Sequence, residues 1–136
     1  MSSFIFFSSI NNKLYYYEVW EENLIVANLT DGTVLDTIVK GAYGYAIFVD
    51  DVNGKIYFDD QYTGFMRANL DGTGIEMIED INANDTKIYG IDIDYSSNKL
   101  YWSARDAGEI YRADLDGSNK EVIVTVLSSP RGIFLK

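Results

Sequence analysis

The sequence predicts an all-β protein built from three four-stranded propeller blades. Two recurring motifs support this prediction. The first joins a lysine to an aliphatic residue and an aromatic pair, and it occurs at residues 12–16, 54–58 and 98–102. The second contains an Asp-Gly turn, and it occurs at residues 27–33, 68–73 and 113–118. A repeat of about 40 residues with short strands and Asp-Gly turns is typical of propeller blades.

Each repeat divides into four short strands, a to d. Strand a precedes the lysine motif, strand b contains it, strand c ends at the second motif, and strand d follows the turn. Asp-Gly between two apolar strands favours a hairpin, because glycine accepts the positive φ that the turn requires. The blades are expected at about residues 4–39, 46–80 and 89–127. Residues 132–135 repeat the pattern of strand a and predict one extra strand.

Composition supports one folded β-rich domain. The chain has 136 residues, of which 47% are hydrophobic and 15% are aromatic, enough for a packed core. It contains no cysteine, which excludes disulfides and thiolate metal sites. It also contains no histidine, which removes the commonest general base and the usual catalytic triads.

Net charge limits the classes of partner. The formal charge of −10 disfavours binding to nucleic acid or to an anionic membrane, because both need positive charge. No apolar run reaches membrane-spanning length. The apolar start at residues 3–8 has no basic flank and no clear cleavage site, so it predicts a strand rather than a signal peptide. The compartment stays open, with the cytoplasm favoured.

The third repeat resembles a known family. Its segments KLYWS at 99–103 and IYRADLDGS at 110–118 look like the YWTD repeat of the low-density lipoprotein receptor, the class B repeat. Repeat two keeps YFDD at 57–60 and RANLDG at 67–72, whereas repeat one has YYYE at 15–18 and Val26 in place of the arginine. The family motif ends in Asp, and Asp60 alone fills that place, with Glu18 and Ala104 at the matching positions.

The resemblance implies a six-bladed propeller, whereas this chain encodes three blades. An arc of three blades leaves one broad face of each end blade uncovered, and such faces usually mark an association surface. A homodimer with two equivalent junctions would close the ring. The predicted junction contains Phe4, Phe6, Ile133, Phe134 and Leu135. Either the N-terminal strand or the partner's C-terminal strand then fills the innermost place in blade 1, with local pairing slightly favoured because it costs less loop entropy.

The top rim of the propeller is the predicted binding surface. It is formed by the b–c and d–a loops, which are free to vary on a rigid frame. Aromatic residues beside mixed charge are typical of protein-binding hot spots. Packing of Tyr43, Tyr45 and Trp20 between the blades is the alternative interpretation. The predicted rim residues are Tyr17, Trp20, Glu21, Glu22, Tyr43, Tyr45, Asp60, Gln61, Tyr62, Arg105, Asp106 and Arg131.

These features predict a non-catalytic protein-interaction scaffold without a cofactor, whose partners are a second copy of itself and an unidentified protein or peptide. The alternative is a propeller enzyme, a calcium- or carboxylate-dependent hydrolase or lyase with its site in the central channel. Asp92 on an innermost strand is the weak candidate for a calcium ligand. A calcium cage needs more oxygen ligands than this single carboxylate supplies. A carboxylate bonded to backbone N–H groups is the structural alternative.

Overall fold

The computed structural model describes residues 11–18, 20–80 and 88–136, together with the backbone of residues 5–8. Within these residues it contains twelve strands in three four-stranded antiparallel sheets. The all-β class and the propeller-like sheets confirm this part of the prediction. No apolar helix of membrane-spanning length occurs among the described residues.

The strands follow one another in chain order within each sheet. Blade 1 comprises β1 (Ile5–Ser8), β2 (Lys13–Glu18), β3 (Asn23–Asn28) and β4 (Val34–Lys40). Blade 2 comprises β5 (Ile47–Asp50), β6 (Lys55–Asp60), β7 (Gly64–Asn69) and β8 (Glu76–Asp80). Blade 3 comprises β9 (Ile88–Asp94), β10 (Lys99–Ala104), β11 (Glu109–Asp114) and β12 (Glu121–Val124).

The repeated lysine joins two strands of a blade. The lysine that opens the second strand lies opposite the last residue of the third strand in all three blades. Lys55 Nζ donates to Asn69 Oδ1 over 2.8 Å, and Lys99 Nζ donates to Asp114 Oδ1 over 2.5 Å. The two sequence motifs therefore meet where the second strand begins and the third strand ends. The register between these two strands is the same in every blade.

The core lies between the blades. The innermost strand β5 contacts both β1 and β9, as expected for neighbouring blades around an axis. Alternate residues of β6 point to opposite neighbours. Ile56 and Phe58 pack against blade 1, whereas Tyr57 packs against blade 3. Trp102 fills the second of these two interfaces and is 1% exposed.

Two further contacts join neighbouring blades. Tyr57 Oη and Arg67 Nη1 both donate to the backbone oxygen of Leu115, over 2.7 and 2.8 Å. The Asp-Gly turns of blades 2 and 3 also pack against the outermost strand of the preceding blade. A Cβ on Gly72 would overlap the backbone oxygen of Ile38, and one on Gly117 would lie 2.9 Å from Cγ2 of Ile78. The glycines of these turns are thus required by blade packing as well as by their positive φ angles.

The C-terminal segment differs from the prediction. Residues 132–135 form no strand, and β12 ends at Val124, three residues before the expected end of blade 3 at about residue 127. The physical reason is that no strand among the described residues lies beside this segment to complete a ladder. The segment instead crosses β9, where Gly90 lies against the backbone of Arg131 and Ile133 and the backbone N–H of Leu135 donates to Asp92 Oδ2 over 2.9 Å.

The remaining predicted junction residues lie at the other end of the chain. Phe4 is outside the described residues, and Phe6 lies in β1 opposite Tyr15. The innermost place in blade 1 is therefore occupied by the chain's own β1, the local pairing that the sequence slightly favours. Of the C-terminal residues, Phe134 is 79% exposed, whereas Ile133 and Leu135 are half-buried.

Candidate interaction site on the top rim

The top rim is the edge where β2, β6 and β10 end, at Glu18, Asp60 and Ala104. The first residues of β5 and β9 lie at the same edge, because the innermost strand of each blade is antiparallel to the second. Residues from all three blades therefore converge there. The predicted residues divide into an exposed end, a tyrosine row, a pair of arginines and several buried residues.

Trp20, Glu21 and Glu22 form one end of the rim. Trp20 is 95% exposed, so the packed alternative is wrong for this residue. Glu21 is exposed, and Glu22 Oε1 accepts a 2.7 Å hydrogen bond from Tyr62 Oη. This bond raises the pKa of Tyr62, because it stabilises the protonated phenol beside a carboxylate. Trp20, which two glutamates follow in the sequence, is therefore the most accessible aromatic residue of the predicted rim.

A row of four tyrosines extends from this end across the rim. The ring centroids of Tyr62 and Tyr43 are 6.4 Å apart. Tyr43 and Tyr45 pack edge to face, with ring centroids 5.7 Å apart. Tyr45 in turn stacks on Tyr89, with ring centroids 4.9 Å apart. The hydroxyls of Tyr43 and Tyr45 are 3.3 Å apart, and this bond is the main cause that raises the pKa of Tyr45 to about 12. Tyr43 and Tyr45 are half-buried, so they both pack within the row and present an edge to solvent.

Two arginines flank the last tyrosine of the row. The guanidinium carbons of Arg105 and Arg131 lie 5.4 and 5.1 Å from the Tyr89 ring centroid, within cation–π range. Arg105 also donates to Tyr89 Oη over 3.2 Å and pairs with Asp106 over 2.9 Å. Tyr89 is only 7% exposed and was not among the predicted residues. Its place in a buried strand made it indistinguishable from a core aromatic in the sequence.

Tyr17 is a correction to the predicted rim. It is 6% exposed and lies in the core between blades 1 and 2. Its hydroxyl donates to the backbone oxygens of Asp59 and Ala46, over 2.5 and 3.3 Å. Burial raises its pKa well above the ordinary value. It shares one face of β2 with Tyr15, as alternation along a strand requires, and this face points to the neighbouring blade.

Asp60 and Gln61 shape the rim from beneath. Asp60, 8% exposed, accepts hydrogen bonds from the backbone N–H groups of Tyr43 and Tyr62 and from the hydroxyl of Thr63. Gln61 donates its backbone N–H to Tyr43 O over 2.7 Å and its amide to Asp59 Oδ2 over 2.7 Å. These two residues therefore position the tyrosine row, and Asp60 offers little surface to a partner.

Asp59 was not among the predicted rim residues. It is fully buried, and its Oδ1 accepts hydrogen bonds from the backbone N–H groups of Tyr45 and Ala46 over 2.7 and 2.6 Å. Burial raises its pKa to about 7, although the three hydrogen bonds to the carboxylate oppose this shift. Its adjacency to Asp60 was the available signal, but adjacency alone does not tell which carboxylate points inward.

A cavity of about 250 Å³ lies between the inner strands β5 and β9 and the C-terminal segment. Phe48, Asp92 and Phe134 contribute to its lining. Asp92 accepts hydrogen bonds from the backbone N–H groups of Ile93 and Leu135, over 2.8 and 2.9 Å, which matches the structural alternative for this carboxylate. Among the described residues, no group of three His, Cys, Asp or Glu side chains is placed to hold a metal ion.

Comparison with known proteins supports the propeller assignment. The chain is similar to a chain in the crystal structure of a nidogen/laminin complex, with 25% identity and a TM-score of 0.81 over 94% of this chain and 50% of that chain. It is also similar to a putative TolB from Agrobacterium tumefaciens, with 16% identity and a TM-score of 0.71 over 89% of this chain and 48% of that chain. The nidogen region is a YWTD propeller, so this likeness supports a YWTD-like propeller.

A curated relative shares a short stretch of sequence. Protein cueball of Drosophila yakuba is 28% identical over 121 residues, which cover 85% of this chain and 18% of the relative. No protein-family model matches the chain. The chain thus spans about half of the two similar solved chains and less than a fifth of this relative.

Proposed function

We propose that the chain is a non-catalytic protein-interaction scaffold, a YWTD-type propeller assembled from two three-bladed copies. One observation supports the assembly above the others. At each junction inside the chain, the turn of one blade packs against the outermost strand of the preceding blade. The same two surfaces, the turn of blade 1 and the outermost strand of blade 3, are exposed at the two ends of the chain.

The turn glycines give the first matched pair. Gly72 and Gly117 pack against Ile38 and Ile78, the residues six positions after the turn glycine of the preceding blade. Gly32 holds the same place in blade 1, and a Cβ added there would meet nothing within 4 Å. Ile123 holds the place of Ile38 and Ile78 in blade 3 and is 40% exposed, whereas Ile38 is 7% exposed. Ile123 of one copy therefore fits the open turn of Gly32 in another.

A side-chain pair gives the second match. Lys120, three residues after its turn glycine, binds Glu79, seven residues after the preceding turn glycine, over 2.7 and 2.9 Å. The corresponding residues at the open ends are Leu35 and Val124, which are 50% and 38% exposed. An apolar pair thus replaces the ion pair at the proposed junction. Burial of two such side chains stabilises an interface by about 25 cal/mol per Å² of apolar surface removed from water.

Hydrogen-bond donors give the third match. Inside the chain, Tyr57 and Arg67 bind the backbone oxygen of Leu115. Tyr101 and Arg112 occupy the same positions in blade 3, and Leu29, 39% exposed, is the counterpart of Leu115 in blade 1. The same bond can therefore form across the proposed junction, with the donors on one copy and the acceptor on the other.

The proposed interaction surface is the top rim. Trp20 and Tyr62 are large exposed aromatic groups, and Tyr62 is held in place by Glu22 and by the row beneath it. Aromatic anchors on a rigid frame bind partners at low cost in conformational entropy. A twofold ring would present this surface twice, which raises avidity for a bivalent partner.

Solution mass tests the assembly. The wild-type chain is expected to elute in light scattering with twice the 15.4 kDa of one chain. Val124→Glu should yield the single-chain mass, because the variant places a carboxylate against Leu35 in an apolar contact without a partner charge. Val52→Glu is the matched control, since Val52 lies in an exposed turn of blade 2 and is 70% exposed.

A wild-type mass of one chain at micromolar concentration would refute the paired ring, as would an equal loss of mass in the Val52 control. The rim is tested separately on the assembled protein. Partners captured from cell extract by the wild type should be lost with Trp20→Ala and kept with Val52→Ala. Capture that is unaffected by Trp20→Ala would remove the rim from the proposal.

A further inference from the structure

The top rim contains a second feature that the proposed scaffold function does not by itself require. Three flat side chains lie together on this rim, Tyr45 just before β5, Tyr89 in β9 and Arg131 in the C-terminal segment. Tyr45 stacks on Tyr89, and Arg131 lies over the same Tyr89 ring at 5.1 Å. Tyr45 and Arg131 thus both contact the Tyr89 ring, and we call these three residues the mouth ladder.

The mouth ladder is anchored to the scaffold. The backbone oxygen of Arg131 accepts a hydrogen bond from the buried Ser103 hydroxyl, and the backbone oxygen of Ala46, next to Tyr45, accepts one from the Tyr17 hydroxyl. Asp59 holds the backbone of Tyr45 over 2.7 Å. Arg131 is therefore presented by a fixed backbone, although its side chain is exposed.

Positive charge is concentrated at one end of the mouth ladder. Arg105 lies 5.4 Å from the Tyr89 ring, so two guanidinium groups share one aromatic side chain. Asp106 pairs with Arg105, whereas Arg131 makes no ion pair within the part of the chain that the structure describes. Two cations on one ring repel each other, and a shared anion would relieve this repulsion. Guanidinium forks bind carboxylates with two parallel hydrogen bonds.

We infer that this end of the rim binds an acidic segment of a protein partner, with a carboxylate between Arg131 and Arg105 and the neighbouring residues of the segment against Tyr45 and Tyr43. The inference rests on the proposed scaffold function and names the chemistry of its partner. Local charge complementarity supports this occupant, because two guanidinium groups lie beside one ring at this end of the rim. In the proposed ring, the twofold axis gives the mouth two ladders and hence two acidic-segment sites.

Fluorescence anisotropy with labelled decapeptides tests the inference. One peptide alternates Glu with Gly, its neutral match has Gln in place of Glu, and a labelled oligothymidine is a second anion. The full-length wild type at low salt should bind the Glu peptide in preference to the other two probes. Arg131→Ala and Arg105→Ala should each weaken this binding about tenfold, because each removes a charge-assisted hydrogen bond.

Lys13→Ala is the matched control, since Lys13 lies at the opposite end of β2 and its substitution removes the same unit of charge. This variant should keep the wild-type affinity, and Arg131→Lys should restore part of it, because lysine keeps the charge but loses the planar fork. Equal binding of the Glu and Gln peptides, a preference for the oligothymidine, or an equal loss in Lys13→Ala would overturn the acidic-segment site. So would the absence of any binding of the Glu peptide.

The mass of the same samples separates this failure from failure of the proposed ring. A protein of dimeric mass that ignores the Glu peptide refutes the acidic-segment site and leaves the ring standing. A protein of single-chain mass that binds the Glu peptide through Arg131 and Arg105 refutes the ring and supports the site. Thermal melting of each variant checks that loss of binding does not come from unfolding.

Discussion

At the scale of single residues, Asp59 shows how a propeller blade positions its rim from within. Its carboxylate is fully buried, yet it accepts three hydrogen bonds, two from the backbone of the linker before β5 and one from Gln61. Burial penalises the charged form more than these bonds favour it, so the pKa rises from 3.8 to about 7. The linker includes Tyr45, which belongs to the tyrosine row. The ionisation of one internal group is thereby linked to the geometry of the surface.

This shift predicts a pH-dependent stability. Because the folded-state pKa lies above the unfolded value, the stabilisation is fully present below about pH 4 and is lost as the pH rises through about 7. The full change is on the order of 4 kcal/mol. Asp59→Asn keeps the Oδ1 acceptor but cannot ionise, so the unfolding free energy of the wild type relative to the variant should fall across this window. Urea unfolding at a series of pH values measures it.

Asp80→Asn is the control for the change in net charge, because Asp80 is exposed at the end of β8. It should follow the wild-type pH profile. A profile for Asp59→Asn that parallels the wild type from pH 4 to 7 would contradict the raised pKa, because it would mean that the hydrogen bonds keep Asp59 ionised throughout.

At the scale of elements, the Asp-Gly turns act as both turn and packing surface. Gly54 and Gly72 have similar positive φ angles, at 67° and 87°, so alanine would be strained at either position. A Cβ on Gly54 would meet nothing within 4 Å, whereas one on Gly72 would overlap the Ile38 backbone oxygen. Gly72→Ala should therefore destabilise the fold by about 1–3 kcal/mol more than Gly54→Ala, the usual cost of overpacking.

Thermal unfolding of the two variants checks this expectation, with Gly41→Ala as a second open-space control, since Gly41 has a φ of 71° and nothing within 4 Å. Equal melting temperatures for Gly72→Ala and the two controls would show that the blades can separate at this turn. The contact between turn and outermost strand would then contribute little to blade stacking.

The elements also show what sequence reasoning can and cannot reach. The three sheets follow from repeated motifs, because the motif lysine lies opposite the last residue of the third strand in every blade and bonds to it in blades 2 and 3. The direction of the side chains at the strand ends could not be predicted from these motifs. Tyr17 was predicted on the rim, but alternation with Tyr15 turns it into the core. The pattern of residues 132–135 matches an innermost strand, yet a strand forms only beside a neighbour, and pattern alone does not supply one.

The candidate site could be predicted only in part, for the same reason. Exposed groups at loop positions, such as Trp20 and Tyr62, are visible in the sequence because loops face solvent. Tyr89 was missed because its role depends on a contact between blades, and Asp59 because its role depends on the backbone of the linker before β5; a linear pattern specifies neither contact. Arg131 and Arg105 were each predicted on the rim, but only the structure places both beside one ring.

At the scale of the whole molecule, the blade 3 end and the blade 1 end are expected to form the same kind of junction that already exists between blades 2 and 3. That internal junction places Lys120 against Glu79, with the side chain of Glu79 only 10% exposed. The proposed junction between copies places Leu35 against Val124 instead. If the two junctions share one geometry, the ion pair should be transferable from the internal site to the proposed one.

The double variant Leu35→Lys, Val124→Glu tests this equivalence. Each single variant should elute with the mass of one chain, because it places an unpaired charge in an apolar contact. The double variant should recover the dimeric mass, since it recreates the lysine–glutamate pair with lysine after the turn and glutamate on the outermost strand. Solvent-exposed ion pairs contribute only about 0–1 kcal/mol, so recovery should be partial and should weaken with added salt.

The reversed pair, Leu35→Glu with Val124→Lys, separates geometry from simple charge attraction. Attraction alone would rescue both orientations equally, whereas a copy of the internal junction favours the orientation found there, with lysine after the turn and glutamate on the outermost strand. Light scattering of the single and double variants over a range of concentrations gives the dissociation constants. If the single variants and both double variants are all monomeric, Leu35 and Val124 do not face each other between copies. The ring would then require a different junction.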